Sequence, residues 1–361
     1  MPDPSPWRIR TYRDGDEPAI LRLCREVFGA EMSPEHWRWQ MLRNPAHSTV
    51  IRVAEKPDGE LVGHCCLIPV PLWRDGRVVL GGWSILSMVH PQHQRQGILK
   101  KLVKEAEDQL SLDSNSEGAA FAFVNQNSIH VYTRQMGWSE LQGDMPVYFA
   151  VLDPARVLRR YVRSEKLSSA GVLARPLTSL IFRAERPRSA PAVEIRRVQR
   201  LDERVDELWS AVRGGVRLAT DRSFRYLNWR LVENPREYVI HVAEESGELK
   251  GLVATRADEK FGQRVGYIAE FFFRPGADDA GVALLASARE ELRAAGCGMV
   301  TALALEPRSV RSALRRSGFR RLPRRLMPHP IHFISKDLSD RSEALTSPAS
   351  WFVSWSDHDV V

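Results

Sequence analysis

The sequence predicts an α/β chain of mixed sheets in which one module occurs twice, and three observations carry that expectation. The first is the stretch 83–110. Trp83, Ile85, Met88 and Val89 belong to an apolar run of strand length, Pro91 stops it, and Ile98, Leu99, Leu102, Val103, Ala106 and Leu110 then fall on one helical stripe. The second is repetition, since Trp39-Gln-Met-Leu-Arg-Asn-Pro returns as Trp229-Arg-Leu-Val-Glu-Asn-Pro. The third is length, because 361 residues suffice for two ordinary cores.

Residues 8–12 read as a first strand. Asp14-Gly-Asp-Glu-Pro turns into a helix with Asp16 as N-cap, Pro18 in its first turn, and Ile20, Leu21, Leu23, Cys24 and Phe28 on its apolar side. A second short helix holds Trp37, Trp39 and Met41, and Asn44-Pro45 ends it. Residues 50–55 and 61–72 flank Pro57-Asp58-Gly59 as a hairpin, and Trp73-Arg-Asp-Gly turns the chain toward the strand 83–89. After the long helix come a small apolar strand at 119–124, the turn Asn125-Gln-Asn-Ser with capping residues, and a short helix at 129–136 closed by Gly137.

The second half keeps this order. Val53-Ala-Glu matches Val242-Ala-Glu, Gly59-Glu-Leu-Val-Gly matches Gly247-Glu-Leu-Lys-Gly, and Pro91 and Gly97 match Pro275 and Gly281. Asn127-Ser-Ile followed by Met136-Gly-Trp matches Arg308-Ser-Val followed by Ser317-Gly-Phe. The expected organisation is a module over 1–150, a connector over 151–192, a second module over 193–338 and a tail over 339–361. The connector reads as helical near 154–162 and ends at 186–191 in Pro-rich linker composition.

Four cysteines with no Cys-x-x-Cys spacing signal neither a disulfide framework nor a zinc site, and they read as small buried hydrophobes. No metal is expected at Asp357, His358 and Asp359, because three adjacent residues point different ways. The net charge of +7 leaves room for an anionic ligand. Much of it lies in arginines at 308–325, where a solvated face is a commoner origin than a nucleic-acid site. No run has the length to cross a bilayer and no secretory pattern opens the chain, so the cytoplasm is the expected location.

The chemistry begins at Gln94-Arg-Gln-Gly. A helix N-terminus there offers unpaired N–H groups and the positive end of a dipole, which with Arg95 and Lys100 suits a pyrophosphate. An ordinary strand-to-helix turn stands beside that reading.

The order of elements, with Val89-His90-Pro91 and Gln94-Arg95-Gln96-Gly97-Ile98-Leu99, resembles the GNAT superfamily of N-acetyltransferases over both halves. Gln94 and Gly97 match the family's acetyl-CoA motif, and Leu99 replaces its last small residue. The resemblance implies tandem GNAT-like domains, with acetyl-CoA as acyl donor. It implies that the amides of Arg95, Gln96, Gly97, Ile98, Leu99 and Lys100 hold the pyrophosphate, that residues 87–89 bond the pantetheine, and that the N–H of Met88 or Val89 polarises the carbonyl. Asn127 is placed by the resemblance beside the pantetheine arm, with an N-cap as its other role. In the second copy, Asp278 and Asp279 occupy the turn and would repel a pyrophosphate, so that copy is expected to have lost the cofactor.

The resemblance also implies a tyrosine acid four residues before the closing glycine, where this chain has Thr133. Tyr132 is one residue early, about a hundred degrees around the helix, and can face either the core or the thiolate. No carboxylate lies on 83–89, and Ser87 is its central polar group. His64 and His130 have the pKa range of a base, though both also read as structural histidines. Trp39, recurring as Trp229, reads as structural, and Glu31 and Glu35 read as surface carboxylates.

The leading expectation is an acetyl-CoA-dependent N-acetyltransferase acting on a primary amine of a small molecule, amino sugar or peptide. The catalytic set is Tyr132, Ser87 and His64, and the cofactor set is Met88, Val89, Gln94 to Lys100 and Asn127. The alternatives are a non-catalytic tandem pseudo-acetyltransferase that binds CoA or a partner, and an acyltransferase that uses aminoacyl-tRNA.

Overall fold

The computed structural model describes residues 6–161, 182, 184, 193–260, 262–305, 307–327, 330–339, 341 and 345–358. The chain forms two compact units, one of Met1–Gln142, Glu233–Arg236 and Pro330–Ser347, the other of Gly143–Val232, Glu237–His329 and Pro348–Val361. In chain order the elements are β1 (Arg8–Thr11), α1 (Glu17–Phe28), α2 (Pro34–Leu42), β2 (Val50–Glu55), β3 (Leu61–Arg74), β4 (Arg77–Val89), α3 (Ile98–Asp113), β5 (Ala119–Val124), α4 (Ile129–Gln135) and β6 (Ser139–Glu140). There follow β7 (Val147–Val151), α5 (Pro154–Tyr161), β8 (Glu194–Val198), α6 (Arg204–Arg213), β9 (Leu218–Thr220), α7 (Phe224–Leu227), β10 (Val239–Glu245), β11 (Glu248–Lys260) and β12 (Gln263–Phe273). Last come α8 (Asp278–Ala294), β13 (Met299–Leu303), α9 (Arg308–Arg316), β14 (Arg320–Arg321), β15 (His332–Asp337) and β16 (Trp351–Phe352).

The first unit's strands run β1–β2–β3–β4–β5–β15–β6 and the second's β14–β7–β13–β12–β11–β10–β8. In each, neighbours are antiparallel except one pair, β4–β5 and β12–β13. A parallel pair needs a crossover, which α3 and α8 supply. The strands near the module ends are exchanged relative to the sequence order. β7 follows the first module in the chain yet pairs with β13 and β14, and β15 follows the second yet pairs with β5 and β6. The stretch Val147–Val151, read with the first module and its connector, thus lies in the second sheet.

The long strand begins at Arg77, earlier than its apolar run suggests. Gly81 and Gly82 continue the ladder, and they lack side chains because Leu72 and Leu110 pack where a Cβ would sit. The α3 stripe is buried as its periodicity requires, with Ile98, Leu102, Val103, Ala106 and Leu110 in the core and Leu99 packed against it. Ile98 also fills the space over Gly63, where a Cβ would meet it at 2.8 Å.

Asp16 does not cap α1 through its side chain. Its carboxylate is held by Arg10, at 2.7 and 2.8 Å, and by the Arg13 N–H. Trp39 and Trp229 are both buried, as a structural role requires, and the four cysteines are buried thiols. The connector forms a helix at Pro154–Tyr161, and its Pro-rich end at 186–191 lies outside the described residues, as does Asp359. Among the described residues no helix is long and apolar enough to cross a membrane. No cluster of three or more described His, Cys, Asp or Glu could hold a metal.

Candidate active site

In the first unit the site begins where the parallel pair separates. β4 pairs with β5 only at Gly82↔Ala120 and Trp83↔Phe121. Beyond that, β5 stays with β15 along its whole length, while β4 stays with β3. A bulge helps to turn β4 away: the β3–β4 register shifts between His64 and Cys66, and Leu86 sits at φ 48°. The Leu86 carbonyl accepts from His64 Nδ1 at 2.8 Å.

The divergence opens a cleft of about 610 Å³ that runs to the start of α3. That is an ordinary size for a ligand site. Met88, Val89, Gln94, Arg95, Gly97, Ile98, Leu99, Lys100 and Asn127 all line it, together with Ser87. Gln96, in the same turn, is exposed and is not part of the lining.

The turn itself is built from conformation. Arg95 and Gly97 take positive φ, 64° and 76°, on either side of Gln96, so that successive amides can converge. Gly97 caps α3, and its carbonyl accepts from Lys101 N–H, leaving the amides of Ile98, Leu99 and Lys100 in the turn where a helix has no acceptor for them. The first turn of α3 carries no acidic residue, so the positive dipole end is unneutralised and Lys100 adds to it. These features suit a pyrophosphate.

At the strand end, His90 N–H donates to Val62 O at 2.9 Å, which makes His90 and Val62 a hydrogen-bonded pair. In an antiparallel ladder alternate residues face away, so the Val89 amide turns to the open side and Met88 turns to β3. The Val89 carbonyl accepts from Gln94 Nε2 at 3.4 Å.

Behind the cleft wall lies a polar cluster. The half-buried Ser87 hydroxyl is 3.5 Å from both Ser84 Oγ and Cys65 Sγ. Tyr132 is packed edge-on to Trp138, and its hydroxyl is within hydrogen-bonding reach of Ser84 and Ser87. Of the two orientations open to it, Tyr132 takes the core and touches the cleft only through Ser87. Burial raises the Tyr132 phenol and pushes the Cys65 thiol up to about 12, so both keep their protons at neutral pH.

His64 is fully buried and does not line the cleft, and burial pushes its imidazole down to about 4 against the pull of the Leu86 carbonyl. A neutral, sealed ring has no path for a proton, which corrects its expected role as a base. His130, Glu31 and Glu35 are exposed and absent from the lining. Thr133 donates to the Ile129 carbonyl of its own helix. Asn127 does not cap α4. No side chain caps that helix; Asn125 Oδ1 instead closes the turn before it, accepting from the amides of Asn127 and Ser128.

Val27, Phe28, His93, Asn125, Ser128, Val131 and Gln135 also line the cleft and were not singled out by sequence. Phe28 carried a signal, an apolar residue at the end of a helix that stays 46% exposed. Gln135 carried none.

The second unit lacks this arrangement. α8 starts at Asp278, soon after Pro275, so the polar turn between Pro91 and α3 has no counterpart, and Gly281 lies inside the helix against Phe273. Asp278 and Asp279 fill the first helical turn, and Asp279 pairs with Arg316 at 2.8 Å. Beyond the β12–β13 pairing lies a cavity of about 10 Å³, walled by Ile268, Leu303 and the tail residues Phe352, Val353 and Ser354. The tail aromatics are thus buried in the unit. Beside them Arg222 pairs with both Glu270 and Asp357, and Ser354 and Ser356 donate to Glu270. Glu270, a lone carboxylate in an apolar strand, was a visible signal that the sequence reading passed over.

Residues 8–141 match a family model described as an acetyltransferase (GNAT) domain. A search of curated proteins returned no match. The chain resembles a probable N-acyltransferase from Enterococcus faecalis (12% identity, TM-score 0.62, covering 92% of this chain and 72% of that one). It resembles the N-myristoyltransferase of Saccharomyces cerevisiae, solved with bound myristoyl-CoA (13%, 0.59, 93% and 83%). A GCN5-related N-acetyltransferase from Sphaerobacter thermophilus gives 19%, 0.53, 95% and 99%. At these identities the likeness is one of fold. Residues 8–141 are thus a GNAT-type acetyltransferase domain.

Proposed function

We propose that the first unit transfers an acetyl group from acetyl-CoA to a primary amine of a small molecule, amino sugar or peptide, and that the second unit holds no cofactor. One observation carries the reading: the free-amide turn at Gly97 and the parted end of β4 open into the same cleft. A pyrophosphate at the turn would lay the pantetheine along Val89 and bring the thioester to Ser87. Bound there, acetyl-CoA supplies an activated acyl group on a thiol leaving group.

The outward Val89 amide would donate to the thioester oxygen as charge grows on it. The amine nitrogen forms its bond to the acyl carbon while the carbon–sulfur bond breaks, and the amine proton passes to water, because β4 carries no carboxylate. Ser87 would hydrogen-bond the departing sulfur and lead a proton to it, with Ser84 and Tyr132 behind. A thiol pKa of about 8.5 lets water complete that step. Cys65, Ser84 and Tyr132 stand packed behind Ser87, which supports a short acyl group rather than the myristoyl chain bound by the yeast neighbour.

Titration calorimetry with acetyl-CoA, then thiol release across a panel of amines, tests the reading. Binding with turnover supports it. Absence of binding removes it, and binding without turnover on any amine would replace it with a CoA-binding sensor.

A further inference from the structure

Resting on that reading, we propose that His64 is a positioning residue, which pins the Leu86 carbonyl across the β4 bulge and thereby aims Ser87 and Val89 into the cleft. A bulge sets two residues against one and leaves one of them outside the ladder. Here the residue left out is Leu86, a leucine at φ 48°, in the region that favours glycine. Its carbonyl accepts from His64 Nδ1 at 2.8 Å. A carbonyl only accepts, so Nδ1 carries the proton and Nε2 holds a lone pair. Nε2 is buried and bonds to nothing. The ring therefore contributes one donor, placed on β3 opposite the shift in register.

The bond bears on function because Ser87 follows Leu86 directly and Val89 lies on the same short strand end. If the carbonyl swings free, the hydroxyl and the outward amide move together. The pyrophosphate turn at Gly97 belongs to a separate segment and stays in place.

Three variants of the full chain separate this role from others. In His64→Asn the side-chain nitrogen lies the same number of bonds from Cβ as Nδ1, so the donor is kept and any basic function is lost. His64→Gln moves the nitrogen one atom further, and His64→Leu removes it. The expected result is near-wild-type kcat for His64→Asn, with kcat down about 10- to 100-fold in His64→Gln and His64→Leu, as small misplacements cost. KM for acetyl-CoA changes little in all three. Amide hydrogen exchange across residues 86–89 should rise in His64→Gln and His64→Leu but not in His64→Asn. A folded His64→Asn as impaired as His64→Leu, or unchanged exchange in His64→Gln, overturns the proposal. The exchange readout needs no cofactor, so a wild-type chain that fails to bind acetyl-CoA would sink the functional reading and still leave this bond decided.

Discussion

Replacing Gly97 by aspartate tests the cofactor turn at its centre. Gly97 sits at φ 76°, and a Cβ there meets nothing within 4 Å, so the change brings strain without collision. A side chain in the left-handed region costs roughly 1–2 kcal/mol, less for Asp and Asn than for other residues. Gly97→Asn carries the same strain and nearly the same shape, so comparing the two isolates one negative charge. At about 5 Å from a phosphate and an effective dielectric near 20, that charge costs about 3 kcal/mol. Gly97 is exposed, and salt screening takes part of this, leaving about 10- to 100-fold in Kd between the variants. Calorimetry at low and high salt is the assay, with thermal melts to show that both proteins are folded. The gap should narrow as salt rises. Equal affinity of Gly97→Asp and Gly97→Asn would refute the argument that this turn holds the pyrophosphate.

Three further outcomes are expected. Ser87→Ala should lower kcat by about 100-fold, the low end for loss of a proton-transfer group, with KM for acetyl-CoA little changed; thiol release measures it, and an unchanged kcat would leave water as the acid. Arg222→Ala strands Glu270 and Asp357 in the second core and should cost about 3–5 kcal/mol in urea unfolding, whereas an exposed arginine such as Arg308 should cost little. Glu55 is held at about 2, against an ordinary 4.5, by hydrogen bonds from Arg10 and then Arg8. Its folded pKa lies below its unfolded one, so the stability it contributes is present above pH 4.5 and is lost as pH falls toward 2. Glu55→Gln should flatten that part of the stability-versus-pH curve, and an unaltered slope there would assign the acid sensitivity to other carboxylates.

Much of the site was legible because its main signal is local. The strand, the glycine turn and the helix lie within one stretch, and Gln94, Gly97, Leu99 and Lys100 reach the cleft by the geometry of a helix start alone. Tyr132 shows where that legibility ends. Its place on α4 could be counted from sequence, but whether its hydroxyl met the cleft depended on Ser84 and Ser87 of β4 and Cys65 of β3. Asn127 shows the same limit: its place before the helix could be counted from sequence, but only the path of the turn put it in the cleft wall and its amide on Asn125 Oδ1.

By itself the sequence determined the elements, their repetition and the glycine turn that opens the long helix, because periodicity, glycine and proline act over a few residues. The tertiary structure alone decided that Val147–Val151 joins the second sheet and His332–Asp337 the first, since short apolar strands pair on either edge equally well until the rest of the sheet exists. It decided that β5 follows β15 and leaves β4, which makes the cleft. It also decided that the tail of the chain fills the corresponding space in the second unit. Each of these rests on contacts between residues far apart in the chain, whose energies no local pattern records.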